Sequence, residues 1–151
     1  MMLRTIWTVI LALLLPACTT QEKRDYHVQI TNATSGQLSL GLVKNGPPNE
    51  DEWVAPHQIA IFAPQLSNRH WGVLLEPGQT EVLRQSGVFA SGSQAILRIF
   101  VGNPTIERMV SIAREDPQRL DVYVPAGNSS YTIHTSAGRL EAVEPDANVE
   151  H

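Results

Sequence analysis

From Tyr26 onward, apolar and polar residues alternate along most of the chain, the period-two pattern of strands with one buried face. Tyr26, Val28 and Ile30 point one way; His27, Gln29 and Thr31 point the other. The turn cluster Asn32-Ala33-Thr34-Ser35-Gly36 follows, and Leu38, Leu40 and Leu42 resume the alternation, so the two runs are expected to pair as an antiparallel hairpin. Residues 44–52, with adjacent prolines and three consecutive acids, cannot continue a paired strand and read as a loop. Beyond it, Ile59 and Ile61 favour a strand over 53–62, although Pro56 would also suit the first position of a helical turn. Trp71, Val73 and Leu75 share a phase and define a strand that turns at Pro77-Gly78. There Pro fixes the φ of the second turn position and Gly accepts the positive φ of the third. The chain returns through 79–84, and the Ser- and Gly-rich residues 86–93 read as loop around Val88 and Phe89.

Residues 94–101 are the most apolar segment after the leader. Ala95, Leu97, Ile99 and Val101 form one face, while Ile96 and Phe100 flank Arg98 on the other, as expected of a central strand covered on both sides. Asn103 as cap and Pro104 as first helical residue then open the one helix the pattern predicts, near 104–114. Its inward positions are Ile106, Met109, Val110 and Ala113. Leu120, Val122 and Val124, then Tyr131, Ile133 and Thr135, and finally residues 139–143 return to strand, with turn chemistry at Pro125-Ala126-Gly127-Asn128 and Ser136-Ala137-Gly138.

About seven or eight short strands, one late helix and no fixed repeat describe an all-β chain. The expected architecture is an antiparallel β-sandwich, immunoglobulin-like in the loose sense, with a small β-barrel as the alternative. Residues 26–143 form the single expected domain; 18–25 read as a flexible tether and 144–151 as a fraying tail.

Ahead of the domain the pattern changes. Arg4 precedes the apolar run from Ile6 to Leu15, a positive start and hydrophobic stretch with the length of a secretory signal. About twenty apolar residues are needed to cross a bilayer, and this run stops short of that at Pro16. It ends in Leu15-Pro16-Ala17-Cys18, which resembles the lipobox of bacterial lipoproteins. The resemblance implies cleavage just before Cys18, a diacylglyceryl group on its sulfur and further acylation of the new N-terminus. Two or more acyl chains hold a protein stably at a membrane, so the expected partner is a lipid bilayer, reached through lipidated Cys18. Thr19, where an Asp would favour inner-membrane retention, points to the outer membrane of the envelope. Cys18 is the only cysteine, which leaves no intramolecular disulfide to form.

Charge narrows the partners. With 11 Lys and Arg against 15 Asp and Glu the chain carries a net −4, and loses one more positive charge with the leader. No basic stripe for nucleic acid or polybasic patch for anionic lipid is present. The five histidines, His27, His57, His70, His134 and His151, have no spacing used by zinc sites, and the acids Glu50, Asp51 and Glu52 lack the calcium-loop pattern. No Gly-x-Ser-x-Gly elbow or phosphate-cradling loop occurs, so neither a catalytic constellation nor a cofactor is expected. Asn32 and Asn128 head glycosylation sequons that read as turns. The candidate binding surface is Asn68-Arg69-His70-Trp71, with Arg69, His70 and Trp71 beside one another and Trp53 as a second aromatic. Trp71 also fits a core position, in phase with Val73. The expected function is that of a membrane-anchored, non-enzymatic binding or structural module, meeting an envelope protein or glycan. A small enzyme of cell-wall polymer or polysaccharide, and a protein inhibitor presenting the 44–52 loop, are the competing readings.

Overall fold

A computed structural model describes residues 20–145; the expected leader, Cys18 and most of the expected tail lie outside it. Two four-stranded sheets pack face to face, in the orders β4-β1-β7-β8 and β3-β2-β5-β6. In chain order the strands are β1 (Gln21–Asn32), β2 (Leu38–Lys44), β3 (Val73–Leu75), β4 (Thr80–Ala90), β5 (Ala95–Val101), β6 (Arg119–Val124), β7 (Gly127–Ser136) and β8 (Arg139–Val143). The β-sandwich read from the alternation is therefore the architecture. All ladders are antiparallel except β1 with β7, which run parallel. Among the described residues no helix is long and apolar enough to cross a membrane.

The core lies where the alternation placed it. Tyr26, Val28 and Ile30 of β1 face Leu38, Leu40 and Leu42 of β2 and Ala95, Leu97 and Ile99 of β5; Tyr131, Ile133 and Leu140 complete it. β5 is buried on both faces because its other side, Ile96, Arg98 and Phe100, lies beneath two short helices, α1 (Pro56–Phe62) and α2 (Ile106–Ser111). Against that outer face pack Ala55, Met109, Ile112 and the half-buried Trp71.

Several expectations are corrected. β1 and β2 do not form a hairpin; the link between them crosses from one sheet to the other, organised by Asn32. This side chain is fully buried. It donates to the Gly36 and Leu75 carbonyls at 2.8 and 3.0 Å and accepts from the Thr34 backbone N–H and hydroxyl. The second crossing is the Pro77-Gly78 turn, where Gly78 has φ 79° and Gln79 N–H bonds Glu76 O; it likewise joins strands of different sheets. Both crossings meet at Asn32, whose backbone also bonds Gly78 and Gln79.

Residues 53–62 are not a strand. A single 3₁₀ turn ends at Trp53, and α1 follows because Pro56 occupies its first position and the Gln58 side chain bonds the Ala55 N–H at 2.9 Å. The tether reading over 21–25 and the loop reading over 86–90 are corrected together, while 91–93 do form a turn. β1 begins at Gln21 and β4 runs to Ala90, and the two stretches are partners, Gln21 opposite Ala90 and Asp25 opposite Ser86. α2 begins two residues later than expected, capped by Thr105, whose hydroxyl accepts from Arg108 N–H. Val110 lies within it yet stays exposed, as does Ala113 beyond its end, and Ile112 turns inward instead. Asn128 lies within β7 rather than in a turn.

The hydroxyls of Tyr131 and Ser129 are buried without a hydrogen-bond partner among the described residues. Burial, followed by the nearby Glu144, pushes the Tyr131 phenol above its ordinary pKa. The only contact the Tyr131 hydroxyl has to lose is a poorly formed one with the Ser129 hydroxyl, so Tyr131→Phe is expected to leave stability within about 0.5 kcal/mol of wild type or to raise it. A urea unfolding curve checks this, and a loss well beyond that figure would show that the hydroxyl has a partner.

Candidate functional site

The residues proposed from sequence do not form one surface. Trp53 is only 2% exposed and belongs to the core, a correction of its reading as a surface aromatic. Its ring meets Tyr26 and Phe89 edge-on, with centroids 5.5 and 5.2 Å away, and its indole N–H donates to Ser86 O at 3.0 Å. Glycine at 87 makes room for it: a Cβ there would stand 2.5 Å from Nε1. Trp71 packs on the outer face of the second sheet, edge-on to Phe100 and bonded through Nε1 to Val54 O at 3.1 Å. Arg69 and His70 are exposed, in a loop fastened to α2 by Ile106 N–H to Arg69 O and Glu107 N–H to Ser67 O. Cys18 lies outside the described residues.

Trp71 lies on Gly41, where an added Cβ would come 2.8 Å from Cη2 of the ring. Gly41→Ala is therefore expected to displace Trp71 and cost about 1–2 kcal/mol by overpacking. A red-shifted tryptophan emission together with the lower denaturation midpoint would check it; unchanged emission would show that the ring has space to spare.

What the structure does assemble is a groove of about 410 Å³ between the 44–54 loop and α1. Val54, Ile59, Phe62 and Leu66 supply apolar walls, and Glu50 and Asp51 stand at the lip. Beside it, Ile61 and Phe62 are 68% and 81% exposed, the largest such exposures among the described hydrophobics. Alternation could not find this surface, because it belongs to a helix in a segment read as strand. The clue in the sequence was Pro56.

Lys44 makes the loop wall rigid. Its side chain is 3% exposed and lies over the rings of Phe89 and Trp53, 4.7 and 5.7 Å from their centroids. The ammonium donates to Pro48 O at 2.9 Å, to Val88 O at 2.7 Å and to the Glu50 carboxylate. Those three bonds use all its protons. The hydrogen bond from Lys44 holds the Glu50 carboxyl below its ordinary pKa against the opposing effect of burial, helped by the Val88 N–H. Glu50 is thus a fastening, not part of a solvated acidic loop, whereas Asp51 and Glu52 are exposed. Pro47 O accepts from Ala90 N–H and Ser93 Oγ, tying the loop to the end of β4.

On the outer face of the second sheet a further charged cluster forms. Arg98 grips Asp121 through Nε and one Nη, both at 3.0 Å, and Arg119 grips the same carboxylate at 3.2 and 2.8 Å. Burial alone would raise the Asp121 carboxyl, but the bonds and charges of Arg119 and Arg98 outweigh it and lower its pKa. His57 stands alongside, its pKa depressed by partial desolvation and then by the two arginines. Among the described residues no group of three or more His, Cys, Asp or Glu is placed to hold a metal ion.

These features define a two-sheet sandwich carrying one apolar groove and one buried arginine cluster. No family model matches the chain, and no curated protein or solved structure matches it.

Proposed function

We propose that the chain is a lipid-anchored lipoprotein of the bacterial envelope, most consistent with the outer membrane. Its sandwich serves as a non-enzymatic binding module, and its working surface is the groove between the 44–54 loop and α1. The occupant is a segment of another envelope protein with apolar side chains and basic flanks. The observation that carries the reading is the pairing of a preformed apolar groove with two neighbouring, largely exposed hydrophobics, Ile61 and Phe62, in an acidic chain. Exposed apolar clusters beside polar lips are the usual mark of protein contact. Asp51, exposed at the lip and in no ion pair among the described residues, favours a basic partner.

The anchor belongs to the same reading through Leu15-Pro16-Ala17-Cys18. β1 begins three residues after Cys18, a span of at most about 10 Å of chain. The loop that walls the groove bonds to Ala90, the register partner of Gln21. The start of β1 and the loop that walls the groove thus share one end of the sandwich, which is compatible with a partner at the same membrane surface.

Two measurements test the reading separately. Detergent phase separation should place the native chain with the detergent and a Cys18→Ser version in the aqueous phase; a native chain in the aqueous phase with a free thiol would end the anchoring claim. A photoreactive residue at position 62 should give one stoichiometric protein adduct. That adduct should fall at least tenfold in Asp51→Lys and weaken in raised salt; an adduct indifferent to both would end the claim for a basic partner in the groove.

A further inference from the structure

We propose that the pocket between α1, α2 and the outer face of the second sheet binds a small organic carboxylate, held by Arg98 with Arg119 and His57 at its sides. No residue lines both this pocket and the groove described above, so the two claims stand or fall separately.

The first argument is charge. Two guanidiniums share one carboxylate, that of Asp121, in a place where the side chains of Arg98, Arg119 and Asp121 are 10%, 15% and 5% exposed. The cluster therefore keeps one uncompensated positive charge largely out of water, an arrangement that costs energy unless an anion completes it. Among the described residues no other acid completes it. Glu115 and Asp116 line a separate depression with Arg119 and Asp121, yet neither makes an ion pair with an arginine of the cluster among the described residues. Glu107 and Arg108 of α2 do not line the pocket.

The second argument is geometry. Arg98 spends Nε and one proton of Nη2 on Asp121, directly opposite it in the β5–β6 register. Among the described residues nothing bonds its Nη1. Its end-on edge, Nη1 with the second proton of Nη2, is thus uncommitted, and that edge is the fork that accepts a carboxylate bidentately. Arg119 is more fully engaged, since its Nη1 also donates to Ile112 O at 3.2 Å.

The third argument is the shape and lining of the space. It holds about 200 Å³, the liquid volume of roughly six or seven waters. Pro56, Phe100, Met109 and Val110 make its remaining walls apolar. One positive charge beside the apolar side chains of Pro56, Phe100, Met109 and Val110 selects a monoanion with a short hydrocarbon body over a bare inorganic ion. Sequence had marked the place only as an arginine between Ile96 and Phe100 on a strand covered on both faces.

The test titrates hexanoate into the full chain and follows the Nε–Hε resonances of Arg98 and Arg119, with hexanamide and sulfate as controls. Saturable shifts with hexanoate, absent with hexanamide and weaker with sulfate, are expected. His57→Glu and Val110→Glu change exposed positions at the pocket mouth, and each should weaken hexanoate binding at least tenfold without lowering the denaturation midpoint. Equal response to hexanamide, tighter binding of sulfate, or affinity unchanged in both glutamate variants would overturn the assignment.

Discussion

Trp53→Ala is expected to lower stability by about 4 kcal/mol, within the range for emptying a buried indole site. The ring fills the gap between the edge of β4 and the end of β2, touching Tyr26 and Phe89, and lies under the Lys44 ammonium. Gly87 is already shaped to its edge, so little else can collapse into the space. Against the 5–15 kcal/mol that holds a typical domain folded, such a loss should move thermal unfolding down by about 10–15 °C. Trp53→Phe separates the components: it keeps most of the apolar volume and loses the indole bond to Ser86 O, so about half the effect or less is expected. Calorimetry on the two variants checks this. A Trp53→Ala midpoint within a few degrees of wild type would mean that the ring is not the plug it is described as.

The second large effect is expected from Asp121→Asn, about 3 kcal/mol, because it leaves two guanidiniums facing each other with no anion between them. Its sign with pH is fixed by the depressed pKa of the carboxyl. The stabilisation from Asp121 is fully present above the ordinary carboxylate pKa of about 4 and is lost as pH falls through the lower folded value. Glu50, also depressed, shifts in the same direction but is present in both chains. Urea midpoints for wild type and Asp121→Asn should therefore differ most near neutrality and converge in acid. A gap that stays constant from pH 7 to pH 3 would show that the charge of Asp121 is not what stabilises the cluster.

The alternation of Tyr26, Val28 and Ile30 against His27, Gln29 and Thr31 was legible because one face of that sheet meets the core and the other meets water. The doubly apolar run at 95–101 was legible for the complementary reason that helices cover its second face. What alternation could not supply was which strands are neighbours. Asn32–Gln37 has the composition of a hairpin turn, yet Asn32 uses its carboxamide to carry the chain across to the other sheet. Gln21–Asp25 and Ser86–Ala90 each look unstructured alone, since polar residues dominate the first and serine and glycine interrupt the second. They are strand because they pair with each other. At 53–62 the isoleucine spacing was outweighed by a proline at a helical start and by the burial of Trp53 and Ala55. The groove and the arginine cluster were invisible for the same reason: each joins side chains from segments whose adjacency only the fold decides.

The position of β1 has a consequence for how the molecule assembles. It is the earliest strand, yet its two neighbours are β4 and β7, with Gln21 meeting Ala90 and Asn32 meeting Ile133. Both closures span long stretches of chain, so they carry a large entropic cost and slow the search for the native pairing. A ribosome that still holds residue 133 withholds one side of the first strand. Until then that strand is an open edge whose backbone groups lack their β7 partners, and a chaperone that shields it would speed recovery of the native protein.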